Sequence, residues 1–358
     1  MDVSIVICTA TRAEDLRATL VSLAGIRRPG AVELIVVDNR STDHTRLVIQ
    51  ETVPWFPFPI RYLYEKEPGK YAALNTGIKN ASGSIIAATD DDARFEPDWL
   101  ERALDGLSRF DCGFVGGRVL PLWGGPKPRW LAEHNGLHAK VIALLDHGDV
   151  AREFGSGISW PLGVNVAYRR EVFERVGLFD NRLGRKAGTL RNQAQREWHL
   201  RARALGVRGY YLPDMVVLHH VATERLKKQY FRRWMYWHGI SRALLFRQGG
   251  FDMEEPERPH ARSAGVRMVG GVPAHLFRKA LRSSRSLVWR SLRGESAIAF
   301  EYELWLCFFA GVARQRWRDR ELPIESGPTY PVPSANGDDP SSRTPRLGAD
   351  APALSSSQ

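Results

Sequence analysis

Three adjacent carboxylates are the part of this 358-residue sequence best suited to chemistry. Asp90, Asp91 and Asp92 directly follow the apolar run Ser84-Ile-Ile-Ala-Ala-Thr89. Neighbouring carboxylates repel one another unless a cation or water neutralises them, and hard divalent ions such as Mg²⁺ and Mn²⁺ favour oxygen ligands. Protein carboxylates usually hold Mg²⁺ together with substrate phosphates. The alternative is a solvated loop, or a cap for a helix that begins after Pro97.

Two further polar residues stand at the ends of apolar runs. Asp38 ends the run that begins at Glu33, a position suited to accept hydrogen bonds from a base or sugar of a nucleotide; helix capping is its alternative role. His219 follows Met215-Val-Val-Leu218, and its imidazole suits a metal ligand, a phosphate contact or a structural role. The sequence contains no phosphate-binding G-x-x-x-x-G-K-[ST] loop and no dinucleotide-binding G-x-G-x-x-G motif.

The order of predicted elements brings these residues together. Short β-branched apolar runs predict buried strands, and apolar residues at helical spacing predict helices between them. Late in the chain, 210–212 and 215–218 are predicted strands. The earlier predicted strands are 3–8, 33–38, 61–64 and 84–89, and the predicted helices between them are 12–25 and 71–81. This alternation predicts a mostly parallel α/β sheet with right-handed crossovers, whose ligand lies beyond the carboxyl ends of the strands. Asp38 and the acidic triplet should therefore share one rim.

The composition is that of an ordinary globular protein, with 43% hydrophobic and 25% charged residues. A wholly disordered chain, a collagen and a disulfide scaffold are excluded. The three cysteines, Cys8, Cys112 and Cys307, are odd in number and widely spaced, which favours a reducing compartment. The N-terminus lacks the features of a signal peptide, and the longest apolar stretch, 304–313, is too short for a membrane span, so neither is expected.

The net charge of +11 is concentrated in one segment. Residues 1–220 carry +3, residues 221–320 carry +11 and residues 321–358 carry −3. The basic segment is predicted to be helical, with tryptophans among its arginines. Nucleic-acid binding, a packed helical subdomain with a charged outer face, and a membrane-surface segment are the alternatives, of which we favour the last. The Pro-, Ser- and Gly-rich residues after 321 are predicted to be disordered.

Eight short motifs occur in a characteristic order over residues 3–225. They are Ser4-Ile-Val-Ile-Cys-Thr-Ala-Thr-Arg12, Glu33-Leu-Ile-Val-Val-Asp-Asn-Arg-Ser-Thr-Asp43, Glu67-Pro-Gly-Lys70, Ala73-Leu-Asn-Thr-Gly77, Thr89-Asp-Asp-Asp92, Gly163-Val-Asn-Val-Ala-Tyr-Arg169, Gly177-Leu-Phe-Asp180 and Leu212-Pro-Asp-Met-Val-Val-Leu-His-His220. In this order and spacing the sequence resembles a bacterial family 2 glycosyltransferase with the GT-A fold. The resemblance implies a nucleotide-sugar-binding domain at 1–223, followed by the basic helical segment at 224–320 and the tail at 321–358.

The resemblance also implies roles for individual residues. Asp38 would accept from the nucleobase, Asp90 would contact the nucleoside, and Asp92 would ligate Mn²⁺ or Mg²⁺ on the diphosphate. His219 stands at the family's late metal or phosphate position. The remaining implied contacts are those of the nucleotide-sugar pocket, Thr9, Arg12, Lys70 and Asp91, and those of the acceptor side, Gly163 and Asn165.

The sequence departs from the family at the catalytic base. The family usually has a carboxylate at the position of Gln195, and an amide cannot accept a proton as a carboxylate does. Glu197 is the nearest acid, and we predict it as a shifted base; its alternative role is an ion pair with Arg201 one turn along the same helix. The family also usually has Tyr-Asn where this sequence has Ala10-Thr11.

The resemblance thus implies an inverting, metal-dependent glycosyltransferase. It would move a sugar from a nucleoside-diphosphate sugar to a glycan or lipid-linked acceptor of a surface polysaccharide or glycolipid. The predicted location is the cytoplasmic face of the plasma membrane, where the protein would be peripheral on anionic lipid, with no nucleic-acid partner. The alternative is a catalytically silent nucleotide-sugar-binding partner of another transferase, because Gln195 replaces the usual acid.

Overall fold

The computed structural model describes residues 2–132, 136–155, 157–249, 267–320 and 322. The strands are β1 (Val3–Thr9), β2 (Val32–Asp38), β3 (Ile60–Tyr64), β4 (Ile85–Asp90), β5 (Ala93–Phe95), β6 (Phe114–Trp123), β7 (Arg152–Glu153), β8 (Val166–Arg169), β9 (Gly209–Val221), β10 (Met268–Val269) and β11 (Val272–Pro273). The helices are α1 (Ala13–Ala24), α2 (Thr45–Thr52), α3 (Lys70–Asn80), α4 (Trp99–Arg109), α5 (Gly136–Ile142), α6 (Arg170–Val176), α7 (Ala194–Ala204), α8 (Lys228–Gly249), α9 (Ala274–Leu292) and α10 (Ser296–Arg318), with 3₁₀ turns at Asn181–Leu183 and Thr223–Leu226.

One sheet organises the first two thirds of the chain. Its strand order is β3-β2-β1-β4-β8-β6-β9-β5, with β7 paired to β9. The first four strands run parallel, β8 is antiparallel to both β4 and β6, and β9 is parallel to β6. The predicted α/β sheet flanked by helices and followed by a C-terminal helical segment is confirmed.

The inner strands are buried on both faces because helices cover the sheet on two sides. Ile5 points to a core that includes Leu16 of α1, whereas its neighbour Val6 points to a core that includes Leu74 of α3. This alternation explains why β1 and β2 read as continuous apolar runs and not as alternating ones. The two layers hold the carboxyl ends of β1, β2 and β4 in a fixed arrangement.

The late strands differ from the sequence prediction in one respect. The two short strands expected at 210–212 and 215–218 are one strand, β9, which continues through His219 to Val221. A register shift beside Gly117 in β6 lets β6 and β9 pair along this whole length. The short strand β5, which follows the acidic triplet, pairs antiparallel with β9 and was not predicted.

The helices after residue 227 form their own apolar core. Helix α10 packs against α8 and α9, and Leu304, Phe308 and Val312 of α10 are fully or almost fully buried there. Within the described residues, α10 is the one helix long and apolar enough to cross a membrane by length and composition, although a third of its apolar window is buried in the protein. The predicted disordered tail lies outside the described residues, except for Leu322.

Two glycines allow α8 and α10 to cross closely. A Cβ on Gly311 would lie 2.0 Å from the carbonyl oxygen of Tyr236, and a Cβ on Gly239 would lie 2.1 Å from that of Phe308. We expect Gly311→Ala to force the helices apart and to lower the free energy of unfolding by about 1–3 kcal/mol, the usual cost of overpacking. Urea unfolding measures this. Gly25→Ala is the control, since its Cβ would make an ordinary 3.5 Å contact; equal effects of the two variants would contradict the close crossing.

Candidate active site

The carboxyl ends of three parallel strands form the rim that the sequence predicted. Thr9 at the end of β1 is in register with Asp38 at the end of β2, and Cys8 is in register with Asp90 at the end of β4. Neighbouring strands lie roughly 4.8 Å apart, so Asp38 and Asp90 are about two strand spacings from each other. The rim therefore spans a distance suited to a ligand with several polar groups.

The three carboxylates of the triplet have different environments. Asp90 accepts from the ammonium group of Lys70, which begins α3. Asp91 is buried and accepts from Thr9 Oγ1 at 2.8 Å and from Arg12 Nη1 at 2.6 Å. Burial raises the pKa of Asp91, and the Arg12 cation opposes that effect. Asp91 is therefore a structural anchor of the loop after β1, and it does not face the cavity described below.

Of the three carboxylates in the triplet, Asp92 has the most contacts with basic side chains. Its Oδ2 lies 2.8 Å from Arg12 Nη2, 3.3 Å from His219 Nε2 and 3.4 Å from Arg225 Nη2. Burial alone would raise the pKa of Asp92, but His219 and the two guanidinium groups outweigh burial and hold it well below its usual value. Asp92 is thus ionised at neutral pH.

The β5–β9 pairing places His219 beside Asp92. Ala93 pairs with His219, and the backbone N–H of His220 donates to the carbonyl oxygen of Asp92 at 2.8 Å. His219 is buried, with 3% of its surface exposed. The pairing of β5 with β9 therefore brings together the two predicted metal ligands, Asp92 and His219, which are far apart in the sequence.

The Asp92–His219 pair fits a divalent cation that also has ligands from a substrate. Asp92 Oδ1 and His219 Nδ1 are both buried without a hydrogen-bond partner, and a carboxylate with an imidazole is a donor set that suits Mn²⁺. Among the described residues, no group of three or more His, Cys, Asp or Glu side chains is placed to hold a metal ion. A cation here would thus need further oxygen ligands from phosphate or water, as is usual for Mg²⁺.

The loop after β1 is held in an unusual conformation. Thr11 has φ 54°, which is uncommon for a β-branched residue. Its backbone N–H donates to Ser41 Oγ at 2.9 Å, which ties the loop to the one after β2. Strained backbone of this kind concentrates at functional sites. Here it precedes Arg12, whose guanidinium also bonds Asp15 at 2.9 Å and so links α1 to the triplet.

Asp38 has hydrogen-bond partners within the protein. Its Oδ1 accepts from the backbone N–H of Ser41 at 2.8 Å, and its Oδ2 accepts from the Tyr62 hydroxyl at 3.0 Å. The first of these bonds forms a local turn after β2 and is not the helix capping that was the alternative to nucleobase binding, since α2 begins only at Thr45. Asp38 nevertheless lies on the same rim as the triplet.

A cavity of about 710 Å³ opens beside the rim. Of the predicted site residues, four line it: Lys70, Asp90, Gly163 and His219. Gln195, at the usual base position, also lines it, and its amide lies 3.4 Å from the Tyr168 hydroxyl. Ligand cavities typically range from about 300 to 1,000 Å³, so this one has room for a substrate of that size class.

Seven predicted residues do not line the cavity: Thr9, Arg12, Asp38, Asp91, Asp92, Asn165 and Glu197. The last two were predicted to lie on the acceptor side and to act as the base, respectively. Asn165 is fully buried; its amide donates to the carbonyl oxygens of Arg118 and Met215 and accepts from Trp99 Nε1, so its role is structural. Glu197 is paired with Arg201 at 2.6 Å and 3.0 Å, which is the alternative that the sequence offered for it. The position of Glu197 therefore does not support its prediction as the base.

Arg225 is a site residue that the sequence reasoning missed. It lies in the 3₁₀ turn after β9, lines the cavity, and contacts both Asp92 and His219, the latter at 3.2 Å. The sequence assigned it to the basic helical segment. Only the path of β9 brings it to the rim, and no local pattern indicates that path.

The central sheet with its flanking helices has the GT-A fold, as the likeness to a solved structure shows. The structure matches that of the mannosyltransferase PcManGT from Pyrobaculum calidifontis, solved in complex with GDP-Man and Mn²⁺, with a TM-score of 0.59 and 20% identity over 88% of this chain and 87% of that chain. A match at this identity shows a shared fold.

More narrowly, residues 4–177 match the family model of glycosyl transferase family 2. A glucosyl-dolichyl phosphate glucuronosyltransferase from Haloferax volcanii is 29% identical over 52% of this chain and 58% of its own length. Glycosyltransferase AglE from the same organism is 28% identical over 64% of this chain and 70% of its own length. The alignments thus leave three to four tenths of the length of these relatives uncovered. Because both relatives are archaeal, the resemblance is not limited to bacterial proteins, in contrast to the expectation from the sequence.

Proposed function

We propose that this protein transfers a sugar, with inversion, from a nucleoside-diphosphate sugar to a glycan or lipid-linked acceptor. The observation that carries the proposal is the Asp92–His219 pair at the sheet rim, in which each residue keeps one buried atom without a hydrogen-bond partner. Of the two, His219 lines the large cavity. In doubly wound sheets this rim is where ligands bind. The acceptor would enter the cavity from the side of Gly163 and Gln195.

Four groups of the rim suit the donor. Asp38 would accept from the nucleobase, Asp90 would contact the nucleoside, and Lys70 and Arg225 would offset the charge of the diphosphate. Thr9 and Arg12 would act by holding Asp91 and Asp92 in position, since both are hydrogen-bonded to the triplet. Binding of the donor would draw Arg225 from Asp92 towards phosphate oxygens.

Asp92 and His219 would hold a Mn²⁺ or Mg²⁺ ion. The mannosyltransferase with the matching fold was solved with Mn²⁺, which supports this choice. When bound, such an ion stabilises the negative charge that develops on the leaving diphosphate. Arg12 and Arg225 already neutralise Asp92 in its absence, so we propose that the ion binds well only together with the diphosphate.

No residue of α7 is suited to act as the base that takes the proton from the hydroxyl group of the acceptor substrate. Gln195 has no basic group, and Glu197 is held by Arg201. Of the described residues that line the cavity, the carboxylates are Asp90, which pairs with Lys70, and Asp146, which pairs with Arg118. The absence of an uncommitted carboxylate favours the second candidate function, a silent donor-binding partner of another transferase. The imidazoles of His147 and His238 also line the cavity, so this second candidate rests on the missing carboxylate alone.

A donor screen tests the proposal. A ligand of the native state raises its stability by mass action, by about 2.7 kcal/mol at a hundredfold excess over Kd. We expect the nucleoside diphosphate of one nucleobase, and its nucleotide sugars, to raise the melting temperature of the protein, and to do so only when Mn²⁺ or Mg²⁺ is present. No shift with any nucleoside diphosphate or nucleotide sugar would overturn both candidate functions, whereas binding without sugar release would select the silent partner.

We also propose that the basic segment at 224–320 lies on an anionic membrane surface, with helix α9 in contact with the lipid. Phe277, Leu281, Val288 and Leu292 occupy one stripe of α9 by helical spacing and are 39%, 55%, 59% and 79% exposed. Exposed arginines follow the neighbouring face: Arg278, Arg282 and Arg285. An apolar stripe beside cations is typical of a helix that lies in the membrane interface.

We expect Leu281→Glu to reduce binding to vesicles that contain phosphatidylglycerol by at least tenfold. Burial of a leucine side chain contributes about 1.5–3 kcal/mol, and the new carboxylate would be repelled by the anionic surface. Vesicle flotation at low salt measures this. Val21→Glu is the matched control, because Val21 is 59% exposed on α1 of the catalytic domain. Equal losses in both variants, or no binding by the wild type, would reject the membrane surface.

A further inference from the structure

Two histidines outside the rim line the cavity, and they differ in the charges around them. His147 follows the short helix α5 and stands next to Asp146, whereas His238 lies on α8. Imidazole is the side chain that most often takes a proton in catalysis, because its ordinary pKa lies close to neutral pH. Either ring could supply the base that α7 lacks, so the surroundings of each ring decide between them.

The ring of His147 is held so that one of its nitrogens is a free acceptor. Its Nε2 lies 3.1 Å from the carbonyl oxygen of Ser159, which can only accept, so Nε2 carries the proton. Nδ1 therefore keeps its lone pair, and it has no hydrogen-bond partner in the parts of the chain that the structure describes. Burial lowers the pKa of His147, although the Ser159 hydrogen bond and the charge of Asp146 oppose that effect and Arg152 adds to it. The ring is thus neutral at pH 7 and able to accept a proton.

The loop that carries His147 is fixed on both sides of the ring. Asp146 Oδ1 lies 3.2 Å from Arg118 Nε, and it accepts from the backbone N–H of Gly148 at 2.9 Å. Arg118 Nη2 donates in turn to the carbonyl oxygen of Gly148 at 2.9 Å. A base must stay within hydrogen-bond reach of the proton that it takes, so this anchoring suits a catalytic side chain.

The charges around the two rings favour His147 as the base. A neutral imidazole becomes a cation when it accepts a proton, and the neighbouring carboxylate of Asp146 would stabilise that cation. His238 instead faces three cations: Arg242, Lys140 and Arg196. Removal from water and these cations hold the pKa of His238 well below its ordinary value. A proton is therefore disfavoured on His238.

His147 is linked to the usual base position by one short segment. The first residue of this segment, Ser159, binds the His147 ring, and a Cβ on its last residue, Gly163, would lie 3.0 Å from Gln195 Oε1. All four of these residues line the cavity, together with His219 of the rim. The cavity therefore connects His147 with the rim at which the donor would bind.

We propose that His147 is the general base of the sugar transfer, in place of the carboxylate that is missing at Gln195. The proposal rests on the proposed transferase function. The acceptor hydroxyl would give its proton to His147 Nδ1 while its oxygen forms a bond to the anomeric carbon of the donor sugar. The bond from that carbon to the diphosphate breaks, and its electron pair leaves with the diphosphate. The imidazolium then returns its proton to water.

Hydrolysis of the donor that the melting screen selects, with water as the acceptor, tests this. In His147→Gln the amide can still donate to the Ser159 carbonyl oxygen, but it offers no base. We expect kcat for release of nucleoside diphosphate to fall about 10²–10⁴-fold, with the Kd of nucleoside diphosphate and Mn²⁺ unchanged. Sodium azide should restore release in this variant and yield the glycosyl azide, because an azide ion attacks without losing a proton. His44→Gln, which alters an exposed pair with Glu14, is the matched control and should keep the wild-type rate.

Each other result overturns a defined part of the proposal. Unchanged hydrolysis by His147→Gln would remove His147 as the base and leave the transferase function in place. A loss that azide does not restore would assign His147 a structural role, and a loss confined to His238→Gln would place the base on α8. If the melting curve shows that His147→Gln does not fold, His147→Asn decides in the same assay. No release from any donor by the wild type would overturn the transferase function, and the base with it.

Discussion

Replacement of Asp92 by Asn should abolish the metal dependence of nucleoside-diphosphate binding. The substitution removes the ionised carboxylate that stands beside His219 and offers a buried free oxygen. Loss of a charged ligand from a site with two protein donors leaves the ion too weakly held to bridge protein and phosphate. We expect Kd in the presence of Mn²⁺ to rise roughly 100-fold or more, towards the value measured with EDTA. Isothermal titration calorimetry with and without the metal gives both values.

Asp15→Asn is the matched control for this variant. Asp15 also pairs with Arg12, at 2.9 Å, but it lies on α1 and its other partner is His220, not His219. Both variants therefore disturb the Arg12 network, whereas only one removes the proposed ligand. An unchanged metal-dependent gain in affinity for Asp92→Asn would refute the metal assignment, and an equal loss in both variants would assign the effect to Arg12.

Glu197→Gln should destabilise the protein and leave its turnover intact. The Glu197–Arg201 pair is largely buried, with side-chain exposures of 9% and 18%, and Arg201 also donates to the carbonyl oxygens of Val176 and Leu178. Removal of one partner from a buried pair costs about 3–5 kcal/mol, because the other charge remains buried. We expect a loss of about 3 kcal/mol in urea unfolding, and an unchanged kcat per folded molecule.

A base at Glu197 would give the opposite pattern. General base catalysis contributes about 10²–10⁴-fold, so kcat would fall by that factor while stability would depend only on the ion pair. Glu51→Gln serves as the stability control, since its pair with Arg17 is exposed on both sides and should contribute less than about 1 kcal/mol. A large fall in the kcat of Glu197→Gln, measured under conditions in which the variant is folded, would show that Glu197 is the base.

The rim could be predicted because local sequence determines it. The strands that end at Asp38 and Asp90 are continuous apolar runs, and parallel strands with short crossovers bring their carboxyl ends to one edge. The Glu197–Arg201 pair could also be predicted, because side chains four residues apart on a helix lie next to each other. These features depend on neighbours in the chain.

The rest of the site depends on pairings that are distant in sequence. Arg225 reaches Asp92 across 133 residues, and only the β5–β9 pairing and the continuation of β9 through His219 place it there. The structural role of Asn165 is likewise set by Trp99, Arg118 and Met215, three partners on separate elements. Sequence periodicity reports which face of an element is buried, but it does not report what that face meets.

The net charge of +11 acquires two locations in the structure. Part of it lies on α9, where exposed arginines flank an apolar stripe, and part lines the cavity at Arg185 and Arg191. The first location suits an anionic lipid surface, and the second suits an anionic ligand in the cavity. The residues of the rim, in contrast, would bind the donor.

The most direct test of the central claim is the release of nucleoside diphosphate from nucleotide sugars by the wild-type protein. Each candidate donor would be incubated with Mn²⁺ or Mg²⁺, with and without EDTA, and the nucleoside diphosphate would be quantified by chromatography. We predict metal-dependent release from one donor, which is lost in Asp92→Asn. Release that is unaffected by EDTA and by Asp92→Asn, or no release from any donor, would contradict a metal-assisted sugar transfer at this rim.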